Sequence, residues 1–102
     1  MAKEKTSHLY IVLISFEVLL NGSTSLKIKR SVINRIKDRV RSRFNASIAE
    51  IGYLDKWQRA EMAITMVCNE RKRLQQDIHA IEQLLTGISD VVINNLSTEW
   101  IS

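Results

Sequence analysis

The chain has 102 residues, 15 of them Lys or Arg and 11 Asp or Glu, with a formal net charge of +4. This is the size of one domain, with no room for a second core. Proline is absent and there are only three glycines, which excludes long lids and linkers. The single cysteine, Cys68, excludes an intramolecular disulfide, a four-cysteine zinc site and an iron–sulfur cluster. It suits a reducing compartment.

No targeting segment is convincing at this length. The apolar run from Leu9 to Leu20 is twelve residues and is interrupted by Ser15 and Glu17, whereas a membrane-spanning helix needs about 20 residues. The residues that follow it make a poor signal-peptide cleavage site. We therefore expect a cytoplasmic protein with no membrane contact.

Residues 1–7 are polar and are expected to be frayed, with residues 8–102 forming a single domain. The stretch from His8 to Leu20 is rich in β-branched residues and leucine and predicts a long strand. Its core face would carry every second residue from Tyr10 to Leu20. Asn21 to Thr24 is a turn signal.

A helix is predicted from Leu26 to Arg43, with Ser25 as its N-cap. Apolar residues at a spacing of 3.6 form its inner stripe: Leu26, Val32, Ile33, Ile36 and Val40.

The second half of the chain predicts two strands, a helix and a final strand. Alternation predicts strands over Asn45 to Gly52 and Gln58 to Cys68, joined by the short turn 53–56 and therefore antiparallel. The core side of the second of these strands would carry every second residue from Ala60 to Cys68. A second helix is predicted over Glu70 to Thr86, with Asn69 as its cap. Gly87 is expected to take a left-handed conformation after it. Asp90 to Ile101 is the last strand.

The order β-α-β-β-α-β predicts an α+β, ferredoxin-like fold, with a four-stranded antiparallel sheet and two helices on one face. The open face of such a sheet should be polar. Here it would be largely apolar, so we expect a second copy or another protein to cover it. Scattered exposed apolar residues, which are common in monomers, are the alternative. The outward apolar residues are Leu9, Ile11, Leu13, Leu19, Ala63 and Val67.

The charge is uneven along the chain. Residues 1–43 hold ten basic and three acidic residues, whereas residues 44–102 hold five and eight. Eight of the basic residues lie in the first helix. One flank of its apolar stripe, spaced by 3 and 4, holds Lys27, Arg30, Asn34, Lys37 and Arg41; Arg35 and Arg39 lie on the other flank, and Arg43 ends the helix.

A basic stripe of this length could follow an RNA backbone, neutralising phosphates with little base specificity. The alternative is a solvated face whose long side chains cover the edge of the core. Lys29 lies close to the apolar stripe and is expected to snorkel to solvent. The helix start at residues 22–25 is at best a weak anion site, because it lacks a phosphate-binding loop motif.

The residues after the helix have two interpretations. Asn45 could bond a sugar or base, and Glu50 could orient an arginine such as Arg43. Alternatively, Asn45 serves the turn and Glu50 satisfies backbone groups or Gln58. Trp57 is expected to pack at the hairpin, with stacking on a base as the other option.

Three stretches resemble signature segments of the YlxP-like family, a small bacterial family of unknown function: Ser25 to Arg30 (SLKIKR), Arg43 to Glu50 (RFNASIAE), and Trp57-Gln58. The resemblance covers nearly the whole chain. It implies a ferredoxin-like fold with no established enzymatic activity or cofactor. Genes of the family often stand among those for translation initiation and ribosome maturation factors, which implies a role in RNA or ribosome binding.

An enzyme is not indicated. Two histidines 71 residues apart and one cysteine make no recognisable metal set, and no pair of carboxylates is spaced for acid–base catalysis. We therefore expect a non-enzymatic protein with no cofactor, no metal and no small-molecule substrate, which binds RNA through the first helix, with ribosomal RNA as the candidate target. The candidate RNA-binding residues are Lys27, Arg30, Asn34, Arg35, Lys37, Arg39, Arg41, Arg43 and Asn45. The alternative is a protein-interaction or homodimerisation module that uses the open sheet face.

Overall fold

The computed structural model describes residues 7–102. The elements follow the predicted order: β1 (Tyr10–Leu19), α1 (Leu26–Arg43), β2 (Ala46–Gly52), β3 (Arg59–Cys68), α2 (Arg71–Thr86) and β4 (Val92–Trp100). The expectation that residues 1–7 are frayed falls mostly outside the described residues. β1 and β4 each begin two residues later and end one residue earlier than predicted, whereas β2 and β3 each begin one residue later and end as predicted, differences within the usual uncertainty of element boundaries.

The four strands form one antiparallel sheet in the order β2-β3-β1-β4. β1 pairs with β3 without a register shift, from Tyr10 opposite Cys68 to Leu19 opposite Arg59. The two outer pairings each contain an irregularity, one between Ser15 and Glu17 and one between Glu50 and Gly52. This confirms the ferredoxin-like α+β fold.

Strict alternation along the two central strands decides which side chains form the core. Val12, Ile14, Phe16 and Val18 of β1 are buried, and their β3 neighbours Ala60, Met62, Ile64 and Met66 lie on the same face. Both helices cover this face, and their buried residues join the same cluster: Ile33, Ile36, Val40, Leu74, Ile78, Ile81 and Leu85. The predicted core faces of both central strands are therefore confirmed.

The first helix begins as predicted. The second begins one residue later than predicted and ends at Thr86 as predicted, but the residues that cap it at both ends differ from expectation. The Ser25 hydroxyl accepts a hydrogen bond from the Ile28 amide at 3.1 Å. At α2 the N-cap is Glu70, without a side-chain cap bond, so the prediction of Asn69 was wrong. Gly87 has φ −89° and ψ −2°, so the left-handed prediction was also wrong. The helix instead ends on backbone hydrogen bonds from the Gly87 amide to the Gln83 carbonyl at 3.1 Å and from the Ile88 amide to the Leu85 carbonyl at 3.4 Å.

Over residues 7–102, neither helix is both long and apolar enough to span a membrane.

Candidate nucleic-acid interface on the first helix

The predicted basic stripe lies on the outer surface of α1. Ile33, Ile36 and Val40 turn inward and are almost fully buried, which leaves the stripe along one side. Lys27, Arg30, Asn34 and Arg41 are exposed and Lys37 is half-buried. From Lys27 to Arg41 the stripe spans roughly 20 Å at 1.5 Å per residue.

The cations of this stripe lack carboxylate partners. Among residues 7–102 there are three ion pairs, and their cations are Lys29, Arg35 and Arg59. Within the stripe, Arg41 donates to the Ile48 carbonyl of the edge strand β2 at 3.3 Å. A neutral carbonyl leaves the guanidinium charge uncompensated, so the stripe remains a source of positive potential.

The opposite flank is partly neutralised. Arg35 forms an ion pair with Asp90, before β4, at 2.8 Å. Hydrogen bonds to Asp90 from the Arg35 guanidinium and then the Ser89 hydroxyl hold the pKa of this carboxyl below its ordinary value of 3.8. Arg39 is exposed and adds a smaller effect of the same sign. Arg35 is therefore already engaged, whereas Arg39 stays available.

At the end of α1 lies a cleft with basic residues from both helices, which the sequence analysis did not predict. The cleft of about 340 Å³ is lined by Arg43, Asn45 and Arg73, together with the acidic Asp77. The run Arg71-Lys72-Arg73 after Glu70 could have indicated this basic surface from the sequence. Arg43 lies 5.8 Å from the Phe44 ring centroid, and the Asn45 side chain is exposed. The fold thus brings two cations, one from each helix, to one cleft.

Lys29 does not snorkel, so that prediction was wrong. The residue is 2% exposed, its Nζ lies 2.8 Å from Glu50 Oε2, and it donates to the Tyr53 carbonyl at 2.6 Å. Neither interpretation of Glu50 anticipated this partner. The sequence pattern could have indicated this pair. Lys29 lies three residues after Leu26 and four before Ile33, on the same side of the helix, and Glu50 lies two residues after Ile48, on the same face of the strand. Lys29 therefore belongs to the interior of the fold.

Two hairpin residues also differ from expectation. The expected packing of Trp57 at the hairpin is only partial, because the residue is 52% exposed and lies outside the core cluster. The Gln58 side chain donates to the Ser23 carbonyl at 3.2 Å, and does not contact Glu50 in the hydrogen-bond network of residues 7–102. Cys68 is half-buried against the core, on the face predicted for it.

The open sheet face carries the apolar residues expected there. Leu9 and Val67 are about half exposed, and Ile11, Leu13, Leu19 and Ala63 are partly buried by their neighbours. The face is interrupted by Glu17, which lies opposite Glu61 and pairs with Arg59 at 3.1 Å. The apolar surface therefore falls into two parts separated by a charged band.

Within residues 7–102, no three His, Cys, Asp or Glu side chains are grouped so as to hold a metal ion.

Comparison with known proteins identifies the family of this chain. The family described as Protein of unknown function (DUF503) matches residues 11–98. The chain is 34% identical over 84 residues to the Uncharacterized protein YlxP of Bacillus subtilis (strain 168), which covers 82% of this chain and 91% of that protein. The segment that matches the family includes both helices, β2 and β3, and most of β1 and β4. The chain therefore belongs to the DUF503 family, the YlxP-like proteins.

Proposed function

We propose that this protein is a non-enzymatic, cytoplasmic RNA-binding protein that contacts phosphates through α1, with ribosomal RNA as the expected target. The observation that carries the proposal is the stripe of Lys27, Arg30, Lys37 and Arg41. These four cations lie along one side of a helix, and within the described part of the chain none has a carboxylate partner. A solvated face that served only solubility would gain from interspersed acids. The helix α1 holds eight basic residues and one acid, the exposed Asp38 beside the stripe, which forms no ion pair within residues 7–102.

The mechanism is electrostatic. Each cation that neutralises a phosphate releases condensed counterions, so affinity falls steeply with salt. Arg39 and Arg43 add to the field from the other flank and the end of the helix. Because phosphate contacts carry no sequence information, α1 sets register and orientation on the RNA.

Neutralising two cations of the stripe tests the proposal. Each phosphate that a cation neutralises contributes about 0.7–0.9 to the slope of log affinity against log salt. In Lys37→Gln with Arg41→Gln, we therefore expect this slope to fall by roughly 1.4–1.8. Fluorescence anisotropy with ribosomal RNA fragments and unrelated RNA at several salt concentrations measures it. Tighter binding to one fragment would point to the target.

A matched control separates a local effect from a change in net charge. Gln75→Glu with Gln83→Glu lowers the net charge by the same two units on exposed positions of α2. We expect this control to keep nearly the wild-type slope. Equal losses in both variants, or unchanged affinity after Lys37→Glu with Arg41→Glu, would refute the assignment to α1. Circular dichroism checks that each variant is folded.

A second candidate function is protein interaction or homodimerisation through the open sheet face. The observation that favours it is the exposed apolar end of the sheet, where Leu9 and Val67 are 49% and 51% exposed and Ile11 lies between β3 and the chain end. Light scattering at micromolar concentration tests it, with Val67→Lys as the variant. A monomeric mass would count against self-association, whereas a dimer that is absent in Val67→Lys would support it.

A further inference from the structure

The loop between β2 and β3 holds its aromatic side chains at the surface. Trp57 is 52% exposed and Tyr53 is 36% exposed. They line one side of a cleft of about 480 Å³ whose walls are formed by Tyr53, Asp55, Lys56, Trp57, Gln58 and Arg59. The wall is mainly apolar ring surface with a few charged groups, a composition typical of ligand sites. An indole ring held half in water contributes little to the core, so its position calls for another explanation.

The loop is held from beneath by buried groups. The Lys29 ammonium donates to the Tyr53 carbonyl at 2.6 Å, and Tyr53 has a φ of 58°, which non-glycine residues seldom adopt. On the other limb, the Gln58 carbonyl accepts from the Leu20 amide at 2.9 Å and the Gln58 side chain donates to the Ser23 carbonyl at 3.2 Å. The cleft is therefore preformed, which lowers the entropy lost when a ligand binds.

We propose that this cleft takes one unpaired RNA base, stacked on Trp57. Stacking on aromatic rings and on guanidinium planes is how proteins hold unpaired bases. The Arg59 guanidinium already lies over the Tyr53 ring, 4.2 Å from its centroid, and forms an ion pair with Glu17. With Arg59 neutralised and Asp55 in the wall, the cleft favours a neutral base with amino groups over a phosphate. Lys56 supplies the remaining positive charge.

The loop that forms the cleft is bonded to the start of the helix that carries the basic stripe. The bonds from Lys29 to Tyr53 and from Gln58 to Ser23 place the loop against the start of α1. Lys27 and Arg30 are exposed in the first turns of that helix. A strand whose phosphates follow α1 would thus reach the cleft with its next unpaired base. The inference rests on the proposed RNA binding and adds to it a preference for single strands.

The test combines Trp57 fluorescence with affinity. In Trp100→Phe, Trp57 is the only tryptophan of the chain, and an unlabelled oligocytidine of about eight nucleotides, whose bases each carry an amino group, should quench its emission. In the wild-type background, Trp57→Ala should lose about tenfold or more in affinity for this strand. It should bind an RNA duplex of matched length as the wild type does, because paired bases cannot enter the cleft.

Two further variants keep the test specific. Trp57→Phe retains an aromatic face and should recover most of the affinity. Leu54→Ala removes a more exposed apolar side chain, 63% exposed, from the same loop outside the cleft, and should bind as the wild type does. Since Trp57 lies outside the core cluster, Trp57→Ala should keep the wild-type melting temperature.

The outcomes distinguish the two proposals. If single-stranded RNA binds through the α1 cations while Trp57 emission and the affinity of Trp57→Ala are unchanged, the base site is refuted and the RNA-binding function stands. If Trp57→Ala weakens duplex and single strand equally, the base site is also refuted. If the wild-type protein binds no RNA at low salt, the RNA-binding function fails and the base site fails with it.

Discussion

Removing the buried ammonium of Lys29 should destabilise the fold strongly. The substitution Lys29→Met keeps an unbranched side chain of similar length in a position that is 2% exposed. It leaves the Glu50 carboxylate without the cation 2.8 Å away and the Tyr53 carbonyl without its donor at 2.6 Å. The variant therefore leaves two polar groups without a partner and does not open a cavity.

The size of the effect follows from these two groups. Breaking a buried pair by removing one partner costs about 3–5 kcal/mol. The Glu50 Oε2 that faces Lys29 is buried, but the side chain as a whole keeps 18% exposure. A small rotation can therefore turn the carboxylate toward water, and we expect a loss near the lower end, about 3 kcal/mol. At about 2.1 cal/mol/K of unfolding entropy per residue, this corresponds to a fall in Tm of roughly 12–18 °C.

Urea unfolding followed by circular dichroism measures the free energy of unfolding directly. In Lys29→Met with Glu50→Leu, both charges are gone, and we expect about 2 kcal/mol of the loss to be recovered. Lys27→Met is the matched control, because Lys27 is exposed in the same turn and should change stability by less than about 0.5 kcal/mol. A Lys29→Met variant within about 1 kcal/mol of the wild type would refute the reasoning, as would an additive loss in the double variant.

Two further predictions concern the N-cap of α1 and the ion pair between α1 and the segment before β4. Ser25→Ala removes the hydroxyl that accepts from the Ile28 amide, and should lower the free energy of unfolding by about 1 kcal/mol; exposed Thr24→Ala is the control, and equal losses in the two variants would contradict the cap. The lowered pKa of Asp90 predicts a stabilisation that is present above pH 3.8 and is lost as the pH falls through the folded-state pKa. In Asp90→Asn at low salt, the free energy of unfolding should therefore depend less on pH in that window than in the wild type. The same pH dependence in both proteins would contradict the Arg35–Asp90 pair.

The elements could be predicted from the sequence because their signals are local. Alternation from Tyr10 to Leu20 assigned the two faces of β1, and the spacing of Ile33, Ile36 and Val40 assigned the buried stripe of α1. The ends of α2 were predicted less well. Cap and C-terminal residues depend on which neighbouring groups bond the last amides and carbonyls, so Asn69 and Gly87 had more than one possible role.

The candidate site also has one part that could be predicted from the sequence and one part that could not. The stripe from Lys27 to Arg41 follows from helical spacing alone, because residues three or four apart share one side of any helix. Which cations are neutralised does not follow from spacing. Arg35 meets Asp90 across 55 residues of sequence, and Lys29 meets Glu50 across the packing of α1 on β2.

The sequence by itself determined the order of elements, the core faces of the central strands and the basic side of α1, since each depends on the period of a single element. The tertiary structure decided three further features. It buried Lys29, left the stripe cations without carboxylate partners within residues 7–102, and placed Trp57 at the mouth of a preformed cleft. Each of these depends on contacts between elements, and a side chain's charge state and exposure are set by the groups that the fold brings around it.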